Sequence, residues 1–167
     1  MSFSSNKKFG LGRLEAFLGN LKREISFRGS TMVGIGWKVE NVTGAGGTTS
    51  LTVNDNGTCY VIDASSATQT FKLPTPTSGL RFRFVAADTS TNSMIVTATS
   101  DGSTAANIAH GVFVVAGAAY STNTKDNFYF GYSTNAKTKG DWGECWCDGT
   151  NWWWTGQAVV ADSLKLI

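Results

Sequence analysis

The chain has 167 residues, a length that supports one domain with a real core and is short for two. Only 16% of the residues are charged, against about 25% in an ordinary soluble domain, while the ordinary apolar content excludes a disordered chain. Gly, Thr, Ser and Asn are abundant and Pro is rare, which suits a β-rich domain with many turns.

Charge is unevenly placed. Residues 1–40 hold seven bases and three acids, and the remainder holds seven bases and nine acids. A basic arm on a mildly acidic body suits docking on an acidic partner, or simply a solvated helix face. Residues 1–12 show no apolar leader, and no apolar run reaches the length of a membrane span. No membrane association is therefore expected. Three cysteines, an odd count without a secretory leader, predict reduced structural thiols.

Residues 1–36 read as an N-terminal arm and 37–167 as the body. In the arm, Leu14, Phe17, Leu18, Leu21 and Ile25 recur at helical spacing and make one apolar stripe. Arg13, Lys22 and Arg23 lie beside it. A helix of about 13 residues is marginal alone, and Gly19 weakens it, so it needs a surface to lie on. "GSTMVGIG" (29–36) reads as a flexible connector.

From Trp37 the pattern switches to period two. Candidate strands are 37–42, 49–54, 58–63, 68–73, 80–87, 93–99, 105–110, 111–116, 127–132, 142–147 and 152–160. Turn signals separate them: "GAGG", "NDNG", "PTPTSG", "TSTN", "SDGS" and "DGTN". Many short strands at this spacing predict an all-β fold, an antiparallel β-sandwich or jelly-roll-like body. In 79–88, Leu80, Phe82 and Phe84 alternate with Arg81 and Arg83. The aromatics belong inside and the arginines outside.

"GDWGECWCDGTNWWWTG" (140–156) holds five of the six tryptophans and two of the three cysteines. "DGTN" supplies a four-residue turn. If Cys147 stands beside Trp152, then Trp146 stands beside Trp153 and Cys145 beside Trp154. Cys145, Cys147, Trp152 and Trp154 then share the inner face. Trp142, Glu144, Trp146 and Trp153 share the outer one. Trp142, Trp146 and Trp153 make an apolar patch that needs cover from a subunit, the arm or a ligand, and Arg81 and Arg83 could join a subunit contact.

No metal site is expected. A structural zinc would need Cys59, His110, Cys145 and Cys147 together, every candidate in the chain, without Cys-x-x-Cys spacing. A Cys145–Cys147 disulfide is disfavoured by strand geometry. One histidine, no GxSxG, no phosphate loop and no paired carboxylates argue against an enzyme and against cofactors. Nucleic-acid binding is not expected, because no strand interleaves basic and aromatic residues to read bases.

Three segments in order carry a resemblance: 56–100 from "NGTCYVIDASS" through "FKLPTPTSGLRFRFVAAD" to "IVTATS", then "ANIAHG" (106–111), then 140–156. They resemble the β-sandwich module of tailed-bacteriophage virion proteins, found in head decoration (cement) proteins and in tail-fibre or spike proteins. The matching positions are Leu73 and Pro74, Gly79, Gly140 and Asp141, and Asp148, Gly149, Asn151 and Trp152. Cys145 and Cys147 depart from the pattern, where aliphatic or small residues are usual. The resemblance implies a structural virion protein on the capsid surface, made in the host cytoplasm. It implies a homotrimer that binds the major capsid protein. The arm residues Arg13, Leu14, Phe17, Leu18, Leu21, Lys22, Arg23 and Ile25 are the expected anchor. A receptor- or glycan-binding fibre module is the alternative. The chain carries no long repetitive shaft of the fibre kind.

Overall fold

The structure is a computed structural model and describes residues 36–98, 108–132 and 136–167. The arm helix and its eight anchor residues therefore lie outside the described residues. Trp37–Ile167 forms one compact unit. Apart from one 3-10 turn at Val53–Asp55, the regular structure among the described residues is all strand.

Among the described residues, twelve strands form two sheets. β1 (Lys38–Thr43), β3 (Thr58–Asp63), β5 (Arg81–Ala86), β10 (Trp142–Cys147), β11 (Trp152–Ala158), β7 (Ala109–Val115) and β8 (Ala118–Lys125) lie side by side in that order. The second sheet runs β12 (Leu164–Leu166), β9 (Asn127–Phe130), β6 (Met94–Thr97), β4 (Gln69–Lys72) and β2 (Gly47–Ser50). The two pack face to face, so the expected all-β sandwich is borne out.

The pairing is mixed, which corrects the expectation of a purely antiparallel body. β1 to β6 alternate between the sheets. Each strand therefore re-enters its sheet in the same direction as the strand two before it. Lys38 stands beside Thr58, and Thr58 beside Phe82, all parallel. Gly47, Gln69 and Met94 do the same in the second sheet. This half is a short stack of parallel rungs. The second half is built from two hairpins, β7–β8 and β10–β11, with β10 antiparallel to β5 and β11 parallel to β7. Alternation of apolar and polar residues is the same in parallel and antiparallel strands, so the sequence did not distinguish them.

Aromatic rings from the two inner faces fill the core. Tyr60 and Phe84 of the first sheet meet Phe71 of the second at 5.3 and 5.5 Å between ring centres. Trp154 stacks on Phe128 at 4.3 Å. This stack needs Gly143, because a Cβ there would lie 2.5 Å from the Phe128 ring. Ring pairs of this kind add about 0.5–1.5 kcal/mol beyond their burial. The indole N–H groups of Trp152 and Trp154 are buried without a hydrogen-bond acceptor, a cost that the ring packing must exceed.

Among the described residues, Lys137 is a charged residue whose side chain is buried in full. The ammonium of Lys137 lies 2.9 Å from the Asp88 carboxylate. It also donates to the Ser90 carbonyl and hydroxyl and to the Asn92 carbonyl. Asp88 in turn accepts from the backbone N–H of Ala64 and of Ser90, each at 2.7 Å. Burial pushes the Asp88 carboxyl up, but the hydrogen bonds from Ser90, Lys137 and Ala64 together hold it below its usual value. The cluster ties the loop after β3, the loop after β5 and the segment before β10 to one another.

Candidate functional site

The outer face of the seven-stranded sheet follows from strand register. Along β5 the outward side chains are Arg81, Arg83 and Val85, because Phe82 and Phe84 are fully buried. The β10–β11 hairpin has the register read from its sequence: Cys147 beside Trp152, Trp146 beside Trp153, Cys145 beside Trp154. Trp142, Glu144 and Trp146 therefore face out, with Trp153 next to Trp146. β7 adds His110, Val112 and Val114, since Trp153 stands beside His110 and Thr155 beside Val112.

Three rows result. The first is Arg81, Trp146, Trp153, His110. The second is Cys59, Arg83, Glu144, Thr155, Val112. The third is Val61, Val85, Trp142, Gln157, Val114. The structure thus brings together all five body residues expected at an interface, Trp142, Trp146, Trp153, Arg81 and Arg83. It adds His110 and Trp37, which sequence reading did not place there. Basic and aromatic residues meet across neighbouring strands here, whereas the aromatics that alternate with Arg81 and Arg83 along β5 face inward, so the pattern is invisible in the linear sequence.

Most of these rings are held in place. The Arg81 guanidinium lies 4.7 Å over the Trp37 ring, and that of Arg83 lies 4.4 Å over Trp142. Such stacking is worth about 0.5–1 kcal/mol at exposed sites. The His110 ring packs on Trp153 at 5.0 Å. The Trp153 indole N–H donates to Asp148 at 2.7 Å. Asp148 also accepts from the backbone N–H of Asn151 and Thr150. Those donors, with Asn151 foremost and then the Trp153 indole, bring its carboxyl down to about 2.

Trp146 differs. It is 45% exposed and Trp153 is 39% exposed. Trp146 has no ring partner and no indole hydrogen bond among the described residues. It stands as a free indole between Arg81 and Trp153. The patch is smaller and more cationic than the three bare tryptophans expected from sequence, because Trp142 is half-buried under Arg83.

The polar groups around the two exposed indoles are already used. Glu144 lies 3.9 Å from Arg83. The side-chain oxygen of Asn151 lies 3.4 Å from His110 Nε2, and both Asp148 oxygens are engaged. Few are left to orient the hydroxyls of a sugar.

The cysteines divide between the faces. Cys145 and Cys147 point inward and are buried, and burial pushes the Cys145 thiol well above its usual value. Cys59 stands beside Arg83 on the outer face. The sheet itself separates Cys145 and Cys147 from Cys59 and His110, so these four cannot share one ion. Among the described residues no group of three His, Cys, Asp or Glu side chains is placed to hold a metal.

No protein-family model matches the chain, and no curated protein matches it.

Proposed function

We propose that the chain is a structural virion protein that decorates the head of a tailed phage by binding its major capsid protein, and that it works by contact rather than catalysis. The observation that carries the reading is the outer face of the seven-stranded sheet. Its centre holds tryptophan and arginine, the residues that dominate binding energy at protein interfaces, and its two central carboxylates are internally paired. The rings stacked by Arg81, Arg83 and His110 are ordered in advance, so docking on them costs little side-chain entropy. The resemblance of residues 56–156 to virion β-sandwich modules supplies the setting. A glycan-binding fibre module could use the adjacent indoles of Trp146 and Trp153, but the spent polar groups around them favour a protein partner.

The test uses phage heads lacking the protein. Purified chain added back should bind in many copies. The pair Arg81→Ala and Trp146→Ala, both outward-facing, should reduce occupancy at least tenfold without changing the far-UV spectrum. Binding to tails in a few copies, or full occupancy by the double variant, would reject the reading.

A further inference from the structure

In the row of Arg81, Trp146, Trp153 and His110 the acceptors are used and donors are left over. Glu144, in the next row, is paired with Arg83. Asp148 accepts from the backbone N–H of Thr150 and Asn151 and from the Trp153 indole. The side-chain oxygen of Asn151 faces His110. Left over are the guanidinium of Arg81 and the indole N–H of Trp146. Among the described residues neither meets a hydrogen-bond acceptor, and Arg81 has no acidic partner.

Register brings these two donors together. Arg81 and Trp146 stand directly opposite one another on β5 and β10, and side chains so placed start about 5 Å apart. Both are exposed. The Arg81 guanidinium is steadied over the Trp37 ring, a contact that leaves its N–H groups unspent. Its far flank is open. Gly57 donates its backbone N–H to the Arg81 carbonyl, and nothing lies within 4 Å of where a Cβ on Gly57 would stand.

We infer that the partner of this face sets a carboxylate between Arg81 and Trp146, with a proline or aliphatic side chain beside it on the Trp146 and Trp153 rings. The inference rests on the reading of this face as the docking surface and names the chemistry that the surface selects. A partner that buries two donors without accepting from them loses affinity, so it has to bring acceptors. A backbone carbonyl would satisfy the indole, but only an anion also answers the charge of Arg81. A guanidinium fork fits the two oxygens of a carboxylate, and such charge-assisted bonds are about twice as strong as neutral ones. Phosphates of a nucleic acid strand fit less well, because residues 37–167 hold eight bases against ten acids. The exposed ring surface of the two indoles supplies the apolar half of the contact. An acidic residue flanked by proline or an aliphatic residue on a protein loop meets both demands.

The experiment uses the full chain with its indole nitrogens labelled with 15N. The probe is the peptide N-acetyl-Pro-Glu-Pro-amide, titrated in the millimolar range at constant ionic strength. The Trp146 indole signal should move and saturate, while the buried Trp152 and Trp154 indoles stay fixed. The same peptide with Gln in place of Glu should bind about tenfold more weakly or worse. Arg81→Gln should erase that preference, with the Trp152 and Trp154 signals unchanged as the check on folding. On phage heads Arg81→Gln should lower occupancy, and Arg81→Lys, which keeps the charge without the fork, should recover only part of it. No saturable shift, equal binding of the Glu and Gln peptides, or a preference that survives Arg81→Gln would each overturn the inference. A parent chain that ignores heads yet prefers the Glu peptide through Arg81 would sustain it and reject the capsid reading instead.

Discussion

Lys137 is the side chain whose loss should cost most for its size. Its ammonium is held by the Asp88 carboxylate and three oxygens of Ser90 and Asn92, with no water-exposed surface. Removing one partner of a buried pair leaves the other charge uncompensated, which costs about 3–5 kcal/mol. Lys137→Met should therefore lower stability by about that amount, read as a shift of the urea midpoint at constant slope. Adding Asp88→Asn should recover part of the loss, because the orphan charge disappears. A midpoint unchanged by Lys137→Met would show that the pair is not buried in solution. Nothing in the sequence marks this lysine. It lies in a short polar stretch, where lysine is ordinarily exposed. Its burial follows from three loops meeting, a long-range fact that local pattern cannot carry. Trp146 was better legible, because an outward tryptophan beside a second one already implies cover.

At the scale of elements, the β10–β11 hairpin is the clearest case of sequence dictating structure. Asp148 and Gly149 set the turn, Gly149 with φ of 107°, and alternation then fixes which tryptophans face in. The same turn predicts an acid response. Asp148 is held at about 2 in the fold, below its unfolded value near 3.9. A depressed carboxylate contributes stability that is complete above the unfolded value and is lost as pH falls through the folded one. Trp153 is bonded to that carboxylate, so its environment should stay native at pH 4 and change between about pH 4 and 2. Tryptophan fluorescence of the Asp148→Asn variant should lack that transition. If the two proteins titrate identically, Asp148 does not hold the ring. Other elements were less legible. β8 was missed because Ala, Ser, Thr and Asn give no apolar alternation. Its turn, Ala116-Gly117, has φ of 51° and 80°, so Ala116 stands where Asn or Asp would have announced a two-residue hairpin. β12 is too short to show a period. The two candidate strands 105–110 and 111–116 are one strand over their described part, 109–115.

The whole molecule presents separate surfaces with separate chemistry. The Trp–Arg row occupies the middle of one sheet face, β8 lies at the margin of that sheet among the described residues, and the basic arm precedes Trp37 in the chain. Among the described residues the central cluster runs from Leu51 to Leu166. The arm's sequence carries a separate apolar stripe, Leu14, Phe17, Leu18, Leu21 and Ile25, flanked by Arg13, Lys22 and Arg23. An amphipathic segment of this length gains order only when its stripe is covered, and its positive charges favour an acidic partner, with a salt-dependent association. Deleting residues 1–35 should then leave the urea midpoint of the body within about 1 kcal/mol of the full chain, the range expected when no core residue is removed. Head binding should fall sharply and lose most of its salt dependence, while the contribution of Trp146 persists. The measurement is occupancy on heads across a salt series for the full chain, the truncated chain and each with Trp146→Ala. Equal salt slopes for full and truncated chains would show that the arm is not an anchor, and a truncated body that unfolds would show that the arm belongs to the fold.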